Sequence, residues 1–367
     1  MSQGHAMTVP FHLHVNRRYM PAPKDDSARA ILPERRAAAR AAITGFEGYR
    51  PTPLHRLPGL ARALRVGELW LKDESGRFGL GSFKALGGGY AVVHLLREQL
   101  GDDVSIADVA AGRAAAHVGG MTVCCATDGN HGLAVAWGAR NAGARCTVFL
   151  PGAVSEGRER AIAAQGADIV RVDGSFDDAV RACADEAEAQ GWLPVSDTSH
   201  AGGEEAPSRV MHGYCMLVDE IRAALAGPAP THVFVQAGVG GLAAAVIGAL
   251  RQDLGASSPK GVVVEPTQAD CLYQSAVAGR PSPASGNLDT VMACLANAEI
   301  SPLAWNVLDR GAFAFMALDD EGAVGAMRRA ASPAEGDPPL VLGESGAAAL
   351  GGLLAAAGAA DARDALG

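Results

Sequence analysis

The sequence predicts an α/β protein of two domains, each with a twisted, mostly parallel sheet flanked by helices. Short apolar runs alternate with helix-length segments over much of the chain, the pattern of βα units whose sheet is covered on both faces. The chain has 367 residues, long enough for two packed domains. Glycine is abundant, at 46 residues, and aromatics make up only 5%. That balance favours close helix–sheet packing and glycine-rich loops over an aromatic binding face.

The elements follow in order. A polar, Pro-containing opening gives way to an Ala-rich helix near Glu34–Ile43, and Pro51-Thr52-Pro53-Leu54 reads as extended chain. Glu68–Lys72 is an expected strand ending in the turn Asp73-Glu74-Ser75-Gly76, and Leu86–Gln99 is an expected helix. Strands are expected at Thr122–Ala126, Cys146–Leu150, Asp168–Val172 and Leu193–Val195. Helices are expected between and after them, at Leu133–Ala142, Glu156–Gln165 and Asp177–Gln190. The alternation resumes with a helix at Met216–Leu225, a strand at His232–Gln236, a helix at Leu242–Leu250 and a strand at Gly261–Glu265. Gly279–Asp289, rich in Pro, Ser and Gly, reads as a surface loop, and Ala348–Ala357 as a helix. The domains expected from this order are 1–86 plus 205–367, and 87–204.

Composition narrows the function. The net charge is −9 with no basic run, which argues against nucleic acid, because phosphate neutralisation needs clustered Lys and Arg. None of the seven cysteines forms a C-x-x-C pair, so no metal is expected. Free thiols in a reducing cytoplasm fit better, although Cys271 and Cys294 would pair if their loops met. No charged segment leads into an apolar one at the N-terminus, so secretion is not expected. Val233–Leu250 is nearly uncharged but contains Gln236 and four glycines, and it divides into a strand, a loop and a helix rather than a membrane span.

Three strand-end loops can carry chemistry, since ligands in open α/β sheets bind beyond the carboxyl ends of strands. In Ser82-Phe83-Lys84-Ala85-Leu86-Gly87-Gly88, a Lys among apolar neighbours at a helix start is a candidate Schiff-base amine, because desolvation favours the neutral nucleophile. Alone this is weak, since a lysine in a first helical turn is more often solvated surface. Thr127-Asp128-Gly129-Asn130-His131-Gly132 is a polar array at a helix N-terminus that suits an anion or a phenolic oxygen. A plain Asx turn capped by Asn130 would explain it too. In Gln236-Ala237-Gly238-Val239-Gly240-Gly241-Leu242, glycines let backbone N–H groups approach a phosphate. Gly238, Gly240 and Ala243 also satisfy G-x-G-x-x-A, with Glu265 ending the next strand where a ribose would be bound. This supports a rival reading as a nicotinamide-dependent oxidoreductase, which leaves the other two loops without a role.

Together the loops resemble the fold-type-II pyridoxal-phosphate enzymes, and among them most closely the diaminopropionate ammonia-lyase branch. The resemblance runs from about Tyr49 to Leu354. It is carried by Tyr49-Arg50-Pro51-Thr52-Pro53-Leu54, Lys72-Asp73-Glu74-Ser75, Arg77-Phe78-Gly79-Leu80, the Thr127–Gly132 segment, Val264-Glu265-Pro266, Ala269-Asp270-Cys271, Thr290-Val291-Met292-Ala293 and Gly343-Glu344-Ser345-Gly346-Ala347. Asp128 discriminates, because general dehydratases carry a small Ser-type residue there.

The resemblance implies pyridoxal 5′-phosphate held by Lys84, with Lys84 as base for an L-substrate and Asp128 as base for a D-substrate on the opposite face. It implies Asn130 at the cofactor 3′-oxygen, and Gly238, Val239, Gly240, Gly241 and Leu242 around the 5′-phosphate. Asp197 would meet the substrate amino group, with Thr127, Gly129 and His131 also at the substrate. The implied reaction is α,β-elimination of a small amino acid, 2,3-diaminopropionate, to pyruvate and ammonia, in a cytoplasmic enzyme that is commonly a homodimer. A serine, threonine or 3-hydroxyaspartate dehydratase is the alternative within the class, and a non-catalytic cofactor-binding protein the alternative outside catalysis.

The sequence departs from the branch in places. Phe176 stands where the branch tends to have Tyr. Cys294 lies three positions before the branch's Cys, where this chain has Asn297. The family usually adds a last strand whose Thr/Ser-bearing loop faces the pyridine nitrogen. This sequence runs to Gly367 in Ala-rich helical residues, and Ser345 is the substitute the resemblance offers.

Overall fold

The computed structural model describes residues 9–21, 31–101, 103–127, 129–196, 204–225 and 227–367. Along the chain lie β1 (Phe11–Val15), α1 (Pro33–Gly45), β2 (Leu54–Arg56), α2 (Pro58–Leu64) and β3 (Trp70–Lys72), then α3 (Lys84–Leu100), α4 (Ile106–Ala110) and α5 (Ala115–Val118). There follow β4 (Thr122–Ala126), α6 (Asn130–Ala142), β5 (Arg145–Pro151), α7 (Glu156–Ala163), β6 (Asp168–Val172), α8 (Phe176–Gln190) and β7 (Leu193–Pro194). After α9 (Glu205–Tyr214) and α10 (Met216–Ala224) come β8 (His232–Gln236), α11 (Gly241–Leu254), β9 (Lys260–Pro266) and α12 (Cys271–Ala278). The last elements are α13 (Pro302–Gly311), β10 (Ala314–Leu318), α14 (Asp320–Ala331), α15 (Ala347–Gly358) and α16 (Ala360–Leu366).

Two compact units share the chain. The first holds Met1–Ala30, Pro53–Asp73 and Ile221–Gly367, and the second Ile31–Thr52 and Glu74–Glu220. These boundaries differ from the expected 86/87 and 204/205. A break at 86/87 would cut α3, which runs unbroken and packs on α6 and α9. The same contact draws residues 205–220 into the second unit.

The second unit's sheet has the order β6-β5-β4-β7, with every pairing parallel. Val123, Cys124 and Cys125 of its central strand β4 are buried, which is why that strand reads as a continuous apolar run. Chain direction through the sheet reverses between β4 and β7, so the topological switch point falls beyond their carboxyl ends. Helix α3 meets α9 at very close range: a Cβ on Gly213 would stand 2.1 Å from the Leu86 carbonyl oxygen.

The first unit has a four-stranded sheet of order β1-β10-β9-β8 and a two-stranded antiparallel sheet, β2-β3. Strands β8, β9 and β10 are parallel, while β1 pairs antiparallel with β10 at the edge, Phe11 facing Leu318. Its core joins Val262, Val264, Met316 and Leu318 to Ala347, Ala348 and Leu350 of α15.

The expected βα alternation is present in both units. Elements that the sequence reading left out include β1, β10, α9, α13 and α14. The five-residue apolar run of β10 is too short to be told from a buried helix segment by periodicity. In α9 every residue from Pro207 to Tyr214 is buried, Ser208, Arg209 and His212 included, so its polar positions do not mark a solvent face.

Candidate active site

In the second unit, Lys84 is the first residue of α3, and no acidic residue occupies that helix's first turn. Its side chain is half-buried, and Ala85–Tyr90 behind it are buried. Asn130 is the first residue of α6, at the carboxyl end of β4, and is exposed. The Thr127 hydroxyl accepts the Gly129 N–H at 3.1 Å and the Gly132 N–H at 3.2 Å. A Cβ on Gly132 would stand 2.2 Å from the Thr127 methyl, so glycine is required for this turn to close.

His131 is buried, with Nε2 2.9 Å from the Val195 carbonyl, which joins α6 to the chain leaving β7. Thr127 and His131, two of the expected substrate contacts, are buried and hydrogen-bonded within the fold, and the Gly129 N–H is engaged by Thr127. Asp128 and Asp197 lie outside the described residues. In sequence they follow β4 and β7, the two strands that flank the switch point.

In the first unit, the segment from Gly238 to Leu242 links β8 to α11. Gly240 has φ +103° and no side chain caps α11, so the first backbone N–H groups of this 14-residue helix are left for another acceptor. A Cβ on Gly238 would lie 2.4 Å from Asn297 Nδ2. The Val239 carbonyl accepts the Ser301 N–H at 2.9 Å, which sets the loop from behind. Ser345 is half-buried, and its Oγ accepts the Cys294 N–H at 3.1 Å.

These residues fit pyridoxal phosphate by their chemistry. Uncapped N–H groups among Gly238, Gly240 and Gly241 suit a phosphate dianion, a primary amine suits a carbonyl, and a side-chain amide suits a phenolic oxygen.

Glu265 has a different role from the ribose contact it was offered for. Its carboxylate is buried, accepting Leu272 N–H at 2.9 Å and Tyr273 N–H at 2.7 Å. It closes the start of α12 and is out of reach of a cofactor sugar, which removes the main support for the nicotinamide reading. Cys271 is buried 3.6 Å from it, Cys294 is exposed, and neither is in a disulfide, so the pairing of these two cysteines is not formed.

Burial pushes the Glu265 carboxyl up to about 8 from 4.5, against the helix N–H groups that favour its charge. Between those values the folded protein holds a proton that the unfolded chain has lost, so stability declines as pH rises from about 5 to about 8. Glu265→Gln, neutral throughout, is expected to flatten that slope in a series of melting curves from pH 5 to 9. An unchanged slope would assign it to other groups.

A family model described as pyridoxal-phosphate dependent enzyme matches residues 46–366. The chain is 40% identical over 311 residues to an Escherichia coli diaminopropionate ammonia-lyase, covering 84% of this chain and 78% of that one. The diaminopropionate ammonia-lyase of Salmonella typhimurium is 40% identical over 312 residues, 83% and 77% of the two chains. A crystal structure of the Escherichia coli enzyme in complex with an aminoacrylate–PLP azomethine reaction intermediate superposes with a TM-score of 0.86 at 34% identity, over 97% of this chain and 89% of that one.

Proposed function

Because the chain belongs to the pyridoxal-phosphate-dependent enzyme family, in its diaminopropionate ammonia-lyase branch, we propose that it eliminates the β-amino group of 2,3-diaminopropionate, in the D form, the L form or both. The products are pyruvate and two ammonia. The observation that carries this is the 40% identity to enzymes of that name across 84% of the chain.

When bound, pyridoxal 5′-phosphate supplies a carbonyl for an amine and a sink for the electrons left at Cα. The chain's own residues do the rest. Lys84 holds the cofactor through Nζ and accepts the Cα proton of an L-substrate. Asp128 accepts the Cα proton of a D-substrate from the other side. Asn130 would donate to the 3′-oxygen, and the N–H groups of Gly238, Val239, Gly240, Gly241 and Leu242 would hold the phosphate. The Ser345 hydroxyl would serve as partner of the ring nitrogen. Asp197 binds the substrate amino group, and either it or the Lys84 ammonium supplies the proton with which the β-amine departs. Water then converts the released enamine to pyruvate and the second ammonia.

The test is pyruvate release from D- and L-diaminopropionate and from serine. Diaminopropionate should give the highest kcat/KM, and a preference for serine would replace this reading with a dehydratase. Asp128→Asn should lower kcat on the D-isomer by about 100-fold or more, the scale of a lost general base. The L-isomer should change little, and equal loss on both isomers would refute two opposed bases.

The cytoplasmic homodimer expected from the resemblance is part of this proposal. The support for the compartment is that none of the seven cysteines is in a disulfide and six of them are buried. Among the described residues no helix is long and apolar enough to cross a membrane.

A further inference from the structure

Resting on the reading of Lys84 as the cofactor lysine, we infer that Arg77 is its positioning residue: one buried guanidinium gathers three chain segments and fixes the turn that leads into Lys84.

The chain passes between its compact units at 52/53, 73/74 and 220/221, besides 30/31. On the second unit's side of those three passages stand Thr52, Glu74 and Glu220, and each is a partner of Arg77. The Arg77 side chain is 1% exposed and that of Glu220 2%. Arg77 donates from Nε and one Nη to the Glu74 carboxylate at 2.8 Å each, and from both Nη atoms to the Glu220 carboxylate at 2.8 Å each. It donates further to Thr52 Oγ1 at 3.1 Å and to the Arg50 carbonyl at 3.3 Å. The Thr52 hydroxyl donates to Glu74, and the Tyr49 hydroxyl to Glu220 at 3.0 Å. Two carboxylates, each held by a two-point fork, fix the guanidinium in both direction and plane.

The turn it anchors cannot hold itself. Between Glu74 and Lys84, Phe78, Gly79 and Gly81 have φ of +49°, +73° and +73°. A non-glycine residue there persists only where its surroundings over-determine it. Arg77 grips one side of the turn. On the other, the Phe78 ring packs 4.5 Å from Trp137 of α6 and 5.7 Å from Phe46. Helix α6 begins at Asn130, so the same turn ties the approach to Lys84 to the helix that bears the 3′-oxygen ligand.

The test uses the holoenzyme of Arg77→Lys, which keeps the charge and loses both forks. We expect kcat to fall about 100-fold, the scale of an approximately 1 Å misplacement, with KM within about threefold. The absorbance band of the cofactor–lysine linkage should change, and amide exchange should rise across residues 74–83 while the rest of the second unit stays protected. Thr52→Val, which removes the hydroxyl shared by Arg77 and Glu74 at constant shape and leaves both forks in place, should act in the same direction more weakly, and it decides the matter if Arg77→Lys does not fold. An unchanged kcat and linkage band in the folded variant overturns the inference. So does a general loss of protection with that band intact, the mark of a merely structural ion pair. A cofactor still fixed covalently by borohydride in Lys84→Ala would instead defeat the reading of Lys84, whatever Arg77 does.

Discussion

Lys84→Ala is expected to yield a protein without the absorbance band of a lysine-linked cofactor and with elimination slowed at least 1,000-fold, within the range set by removal of a covalent and proton-accepting group. The substitution is well suited to separating chemistry from folding. Lys84 is the first residue of α3 and half-buried, and alanine is the strongest helix former. The melting temperature should therefore barely move, as for a surface change of about 0.5 kcal/mol or less.

The chain has only four lysines, Lys24, Lys72, Lys84 and Lys260, so the attachment point is easily mapped. Lys260 is already committed, donating to the Leu366 carbonyl at 2.6 Å with its ammonium 4.6 Å from the Phe313 ring centre. Lys24 lies outside the described residues. After borohydride reduction of the wild type, the cofactor should be carried by the peptide containing Lys84. Recovery of it on the Lys72 peptide, or an undiminished band in Lys84→Ala, would defeat the assignment.

What could be read from the sequence follows from which forces act locally. Strands β4, β6 and β8 begin and end where their short apolar runs do, because turn-forming residues bound them on both sides. Helix α9 escaped because its polar residues are not on a solvent face. Arg209 reaches Glu98 at 3.0 Å, and His212 Nε2 accepts the Leu32 N–H at 2.9 Å, so these polar side chains are engaged inside the protein. Those partners lie 111 and 180 residues away in sequence, and no local pattern announces them.

The candidate site divides the same way. Lys84 and the Gly238–Leu242 loop stand out in the sequence as candidates because an amine among apolar residues and a run of glycines after a strand carry their own chemistry. A loop sequence shows polar residues without showing which way they face: Thr127, His131 and Glu265 are all buried in the fold. Arg77 stood in a motif as one more charged residue. Only the fold brings Glu74, Thr52 and Glu220 around it.

Gly240→Ala should affect both cofactor binding and stability, for separable reasons. Gly240 has φ +103°, a conformation that costs a side chain about 1–3 kcal/mol. A Cβ there would also press on Ala304 at 3.1 Å, Leu308 at 3.3 Å and Leu272 at 3.4 Å, and overpacking of this kind adds about 1–3 kcal/mol. A drop of several degrees in melting temperature is the expected result without any ligand. If the loop also holds the phosphate, relaxation of that strain must turn backbone N–H groups away from it. Loss of one hydrogen bond to a charged group is worth about 1.5–3 kcal/mol, so the cofactor Kd should rise about 10- to 100-fold.

Gly238→Ala is the control. Its Cβ meets the end of the Asn297 side chain, which can swing aside, and the Leu295 Cα at 3.3 Å, but it carries no left-handed φ strain, so stability should suffer less. If Gly240→Ala melts earlier but binds the cofactor with wild-type affinity, the packing argument survives and the phosphate must be bound elsewhere. If stability and affinity fall together in Gly240→Ala, and less in Gly238→Ala, the backbone at the start of α11 is the anion cradle.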